Sequence, residues 1–186
     1  MTLQLTFDDG PSSEWTPAIL DLLAEHDVKA TFFVVGSQIE GREGILLRAD
    51  YEGHAIGNHS WSHLRLTGPR LTHKKIWLEL RDTNTLIEKV TGTWPRAWRA
   101  PYYATDNRVI AIARSLGLSS HIDSDIIPDD WMLTDPAEIA RRVLRDGDGI
   151  VTLHDGIPPD GGSDKCTSSR QPTVDALRII LEANRG

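Results

Sequence analysis

With 186 residues and 39% hydrophobic and 25% charged side chains, the chain can bury one substantial core, and it contains no apolar run of bilayer-spanning length. Its formal net charge of −7 disfavours nucleic acid and anionic surfaces as partners, and its single cysteine excludes an internal disulfide framework. No composition shift or linker divides it, so one domain over residues 1–186, acting as a monomer, is expected.

Short β-rich runs alternate with segments of helical period, the pattern of βα units around a mainly parallel sheet. "LQLTF" reads as the first strand. "TPAILDLLAEH" follows as a helix, with Thr16 as N-cap, Pro17 at the first helical position, and Ile19, Leu20, Leu22 and Leu23 on its apolar face. "KATFFVVG" reads as a buried strand, because its apolar character is unbroken. A helix around "GILLRADYEG", a short strand at "HAIG" and a long helix from about Thr72 to Val90 come next. "RAWRAP", "LSSHID" and "GIVTLH" complete the strands, separated by helices at "NRVIAIARSLG" and "DPAEIARRVLRDG"; Asp135 and Pro136 give the latter an N-cap and a first-turn proline. The last helix is "TVDALRIILEAN". A barrel and an open doubly wound sheet both fit this order, and both place a site at the carboxyl ends of the strands.

Polar residues gather at those ends. Asp8 and Asp9 in "TFDDGP" stand where two like charges need compensation. In "HSWSH", His59 and His63 are four apart, which on a helical turn puts both imidazoles on one face, able to share a metal ion. One aspartate completes a His, His, carboxylate ligand set, and the other is then free to act as a general base. There is no Gly-x-Ser-x-Gly elbow, so serine hydrolase chemistry is not expected.

"TFDDGP", "HSWSH", "RAPY", "DDW" and "TLHDG" occur in the order and spacing that the polysaccharide deacetylases show, so the chain resembles this family, the NodB-like domains of carbohydrate esterase family 4, over nearly its whole length. The resemblance implies a distorted (β/α) barrel of six to seven parallel strands. It implies removal of an acetyl group from an acetylated carbohydrate such as a chitooligosaccharide, a peptidoglycan glycan or xylan. It also implies a divalent metal, zinc foremost with cobalt an alternative, held by Asp9, His59 and His63. Asp8 then corresponds to the general base and Arg99 to the arginine that holds it. His154 corresponds to the general acid and Asp130 to its orienting carboxylate, while the amide of Tyr102 serves the oxyanion. Pro101, Tyr102, Leu153 and Trp131 correspond to substrate contacts. Trp61, flanked by His59 and His63, is a further candidate groove contact on its own position, with buried packing an equal reading.

Two positions depart from the family pattern: Ile127 replaces the first aspartate of Asp-x-x-Asp-Trp, with Asp125 two residues earlier, and Thr152 replaces the leucine of Leu-x-His. Thr152 predicts a more polar acyl pocket or a different acyl group. That keeps open an amide hydrolase acting on a small non-carbohydrate molecule, and a sugar-binding module without catalysis is the rival from another class. Family members usually close with a strand after the last helix, and this sequence ends at Gly186, which predicts a barrel one strand short or a truncated chain. Met1 is followed at once by "TLQLTF" with no leader pattern, which predicts a cytoplasmic protein or an excised catalytic domain. Trp15, Trp94 and Trp98 read as packing residues as readily as sugar contacts. His26, His54, His73 and His121 lack ligand spacing, and Cys166 reads as a passive thiol. The polar stretch 157–169 is expected as a loop beside the site.

Overall fold

The computed structural model describes residues 2–184. Six parallel strands form one sheet: β1 (Leu3–Asp8), β2 (Thr31–Val34), β3 (Ala55–Asn58), β4 (Ala97–Trp98), β5 (Ser120–His121) and β6 (Gly149–His154), in the spatial order β5-β4-β3-β2-β1-β6. The chain beyond β5 crosses the gap between the two edges. There Ile126 pairs in parallel with Val151 of β6, which turns the sheet into a distorted barrel.

Among the described residues six α-helices lie between the strands, α1 (Trp15–Glu25), α2 (Gly36–Ile39), α3 (Glu43–Tyr51), α4 (His73–Thr91), α5 (Asn107–Ser115) and α6 (Pro136–Asp146), and a seventh, α7 (Gln171–Ala183), follows β6. The expected apolar face of α1 is the buried one, and it joins Phe7, Phe32, Val151, Leu153 and the inner faces of α6 and α7 in the main core. A smaller cluster around Trp98, Leu80 and Val109 packs α4 and α5 over β4. Asp135 caps α6 and Pro136 opens it, as the sequence signals. Thr72 caps α4 through the Lys75 amide, and Gly92, at φ 76°, ends that helix in the left-handed region that glycine enters freely. Among the described residues no strand follows α7; Gly186, where the expected truncation was placed, lies outside them.

Three local expectations are corrected. Thr16 is not the cap of α1. The helix starts at Trp15, the Ser12 hydroxyl accepts from the Glu14 and Trp15 amides, and the Thr16 hydroxyl is drawn inward to Asp155. "RAWRAP" and "LSSHID" form strands of only two residues each. "HSWSH" is an irregular loop and not a helical turn. Ser60 (φ 64°) and His63 (φ 59°) adopt left-handed backbone conformations that swing the second imidazole back toward the first.

Candidate active site

The strand register explains why distant motifs meet. Asp8 ends β1 directly beside His154, which ends β6, while His59 follows β3 and Arg99 follows β4. Successive strand residues face opposite ways, yet Asp8 and Asp9 line the same cleft because Asp9 leaves the strand at φ 75°. Gly10 is required behind them: a Cβ there would lie 2.2 Å from the Asp155 carboxylate. The cleft has a volume of ≈ 350 Å³ and also takes in Tyr102, Ile127, Trp131 and Thr152.

Asp9, His59 and His63 are all buried, and one ligand atom from each falls within 4.8 Å of the others. Asp9 Oδ1 lies 3.5 Å from His59 Nε2 and 3.2 Å from His63 Nε2, and it is a buried oxygen without a hydrogen-bond partner. The Nδ1 atoms are engaged elsewhere: that of His59 lies 2.8 Å from the Arg99 carbonyl and that of His63 lies 3.1 Å from Asp160 Oδ1. Those acceptors place the ring protons on Nδ1 and leave both Nε2 lone pairs facing Asp9. Burial alone would raise the Asp9 carboxyl, but positive charge facing it, from protonated His59, His63 and His154, holds it at about 2, so Asp9 is an anion that calls for a cation beside it. An anionic oxygen and two imidazole lone pairs, converging on one buried point and otherwise unsatisfied, fit a divalent ion.

Two supported side chains flank this cluster. The fully buried Arg99 donates through Nη1 to Asp8 Oδ1 at 2.8 Å and to Thr6 Oγ1 at 2.8 Å, and through Nε to the Ile122 carbonyl at 3.0 Å. One guanidinium therefore fixes Asp8 and tethers the segment that closes the barrel. Opposite, His154 Nδ1 lies 2.7 Å from Asp130 Oδ1, and Asp130 Oδ2 accepts from the His154 amide and the Thr173 hydroxyl, each at 2.8 Å. Burial would depress the His154 imidazole. The charge and hydrogen bond of Asp130, helped by Asp9 and Asp8, overcome that and raise it to about 9.

The remaining sequence candidates divide. Tyr102, at φ 58° in the turn Pro101–Tyr103, and Trp131 line the cleft; Pro101, Leu153 and Trp61 do not. Leu153 faces the core on the other side of β6, as strand alternation requires. Trp61 lies over Gly36, where an added Cβ would approach its ring to 2.5 Å. Ile127 is half-exposed at the cleft, and Asp125 does not replace it, because its carboxylate accepts from the Ile150 amide. Thr152 is buried, and its hydroxyl accepts from Tyr103 at 2.8 Å. His54 accepts from the Ala30 amide and His121 packs edge-on against Trp98, both structural. Cys166 is less isolated than its neighbours in sequence suggest. It borders the cleft, and the buried Arg170 donates to its sulfur at 3.0 Å.

Sequence reasoning missed four supporting residues. Glu79, buried on α4, accepts from the Trp61 and Ser62 amides and the Ser62 hydroxyl, fixing the loop that carries both histidines. Thr173 and Asp160 act on Asp130 and His63, as described. Asp155 is pushed up to about 7 by burial, against its Thr16 bond and with the like charges of Asp9 and Asp8. Only Asp155 had a sequence signal, its place in "TLHDG".

Fold and cluster together define a parallel α/β protein with a buried site suited to a divalent ion. The polysaccharide deacetylase family profile matches residues 1–121. A chitooligosaccharide deacetylase of Bradyrhizobium sp. (strain ANU 289) is 35% identical over 189 residues, spanning 98% of this chain and 84% of that protein. The peptidoglycan-N-acetylglucosamine deacetylase PgdA of Listeria monocytogenes serotype 1/2a (strain 10403S) is 38% identical over 155 residues; the match takes in 82% of this chain and 32% of that protein's length. Among solved structures, peptidoglycan deacetylase PdaC from Bacillus subtilis superposes with a TM-score of 0.83 at 33% identity, over 98% of this chain and 82% of that one. The chain belongs to the polysaccharide deacetylase family.

Proposed function

We propose that the protein is a metal-dependent deacetylase that hydrolyses the N-acetyl group of an amino-sugar glycan, with zinc held by Asp9, His59 and His63. The observation that carries this reading is the arrangement of Asp8 and His154 on either side of that ligand cluster, each fixed by its own buried partner. Relatives named for chitooligosaccharide and peptidoglycan-N-acetylglucosamine deacetylation support an acetylated amino sugar as substrate.

The zinc ion, when bound, supplies Lewis acidity to the acyl group. Asp8, with Oδ1 held by Arg99, takes the proton from the attacking water through its other oxygen. The Tyr102 amide donates to the oxyanion that forms as the carbonyl becomes tetrahedral. The C–N bond breaks as His154, charged through its pairing with Asp130, delivers its proton to the leaving nitrogen. The products are acetate and the free amine. Trp131 and Tyr102 offer aromatic faces to the sugar at the mouth of the cleft.

The Thr152 hydroxyl, which prompts the small-molecule amide hydrolase, is tied to Tyr103 in the cleft wall, and the relatives named for glycan deacetylation favour the carbohydrate. A binding module without catalysis would have no use for a base and an acid so firmly held. The test is acetate release from a panel of N-acetylated and O-acetylated glycans by chelated protein, with and without zinc returned. Zinc-dependent release from an N-acetylated glycan is expected. No release from any glycan by zinc-loaded protein overturns the reading.

A further inference from the structure

We propose that Asp160, in the polar loop 157–169, is a positioning residue that sets His63 as a metal ligand and couples it to Tyr102; the inference rests on the metal-site reading above. His63 is the less anchored of the two histidines. His59 directly follows β3 and gives its Nδ1 proton to a backbone carbonyl of the barrel interior, whereas His63 sits in an irregular loop at φ 59°. A left-handed backbone at a non-glycine residue costs on the order of 1–2 kcal/mol, so something must hold it. Its Nδ1 partner is a carboxylate 97 residues away in sequence, Asp160 Oδ1 at 3.1 Å.

Both oxygens of that carboxylate are engaged. Oδ1 also accepts from the Gly162 amide at 3.0 Å, and Oδ2 accepts from the Tyr102 hydroxyl at 2.5 Å. Three donors from three segments fix one rotamer. Because an ionised carboxylate can only accept, it keeps the His63 proton on Nδ1 and the Nε2 lone pair toward Asp9. The Tyr102 ring, edge-on to the His63 ring at 4.8 Å between centroids, blocks its rotation from the other side. Gly161 and Gly162, at φ 79° and 66°, make the tight turn that follows Asp160, in a backbone region that glycine enters freely. The Asp160 side chain is 33% exposed, so the contact is partly shielded from solvent screening.

The loop therefore contributes to metal affinity although it contributes no ligand. The test is zinc affinity, read by competition of metal-free protein with a chromophoric chelator, beside thermal unfolding of the same samples. Asp160→Ala is expected to bind zinc about 10- to 100-fold more weakly, the usual scale for losing a partner behind a ligand histidine. Asp160→Asn keeps an oxygen for His63 and loses less; Tyr102→Phe keeps the ring but removes one of the three donors that fix the carboxylate, and is expected to weaken zinc binding by a smaller factor than Asp160→Ala. Asp164→Ala, in the same loop, leaves affinity unchanged. Wild-type affinity in Asp160→Ala overturns the proposal, as does equal weakening by Asp160→Ala and Asp164→Ala, which would make loop order the cause. Failure of the wild-type protein to bind zinc is a different result and overturns the metal-site reading itself.

Discussion

The cleft has two unlike walls. One is made of strand ends: Asp8, Asp9, His59 and His154 each lie at or one residue beyond the end of β1, β3 or β6, with Arg99, one residue beyond β4, buried behind Asp8. The other is made of turns: Tyr102, Ile127, Trp131 and, Pro158 apart, the loop 157–169 are half-exposed or exposed and rest on left-handed residues and short side-chain ties. The base, the acid and two of the three candidate ligands sit where the backbone ladder is paired, while His63 and the Tyr102 amide reach the site from turns that also face the sugar. Side chains of the first wall should thus show their importance in turnover, and the exposed aromatic side chains of the second in substrate affinity.

The largest effect expected on the strand-end wall separates the paired aspartates. Asp9→Asn trades an anionic oxygen for a neutral one and should lose both zinc and activity. Asp8→Asn keeps all three ligand side chains, so metal content should stay near one per chain while kcat falls by about 10²- to 10⁴-fold, the scale of a lost general base. Elemental analysis beside kcat decides. Metal loss in Asp8→Asn with retention in Asp9→Asn reverses the two roles.

A smaller effect concerns the acid. His154 must be protonated to serve the leaving nitrogen, so kcat/KM should fall on the alkaline side as pH rises through its raised value of about 9. In Asp130→Asn the carboxylate charge is gone, burial regains the upper hand, and burial favours the neutral imidazole. The alkaline limb should then move to lower pH by about one unit or more, narrowing the active range. An unmoved limb would mean that Asp130 does not govern this proton.

The same division explains what the sequence could tell. The strand-end wall was legible because its residues travel in compact motifs: two adjacent aspartates before a Gly-Pro turn, a histidine pair, and an arginine and a histidine after β-rich runs. Residue type and spacing carried those roles. The geometry that unites them was not legible, since His59 and His63 are compatible at that spacing with a helical turn and are in fact joined by an irregular loop pinned from Glu79 on α4. The start of α1 is ambiguous in the sequence for a related reason. Ser12 and Thr16 are both good caps by type, and only the buried Asp155 behind them decides which hydroxyl is free. The turn wall was nearly silent. Asp160 lies 97 residues from His63 in a stretch with no periodicity, and only the fold brings them together.

The smallest expected effect tests the turn wall by itself. Trp131 borders the cleft with a partly exposed ring, and its backbone is tied independently of that ring, because the Thr167 amide and hydroxyl both donate to the Trp131 carbonyl. Trp131→Ala should therefore remove an aromatic face and leave the loop where it is. Loss of stacking on one sugar ring is worth roughly 1 kcal/mol, so KM for a glycan of several residues should rise by about fivefold to tenfold with kcat little changed. Thermal stability should hold, since the ring is not part of either core cluster. Steady-state kinetics on a long and a short N-acetylated oligosaccharide, beside a melting curve, make the measurement. A fall in kcat with KM unchanged would place Trp131 in the chemical step and remove the distinction between the walls; a drop in melting temperature would make its role structural.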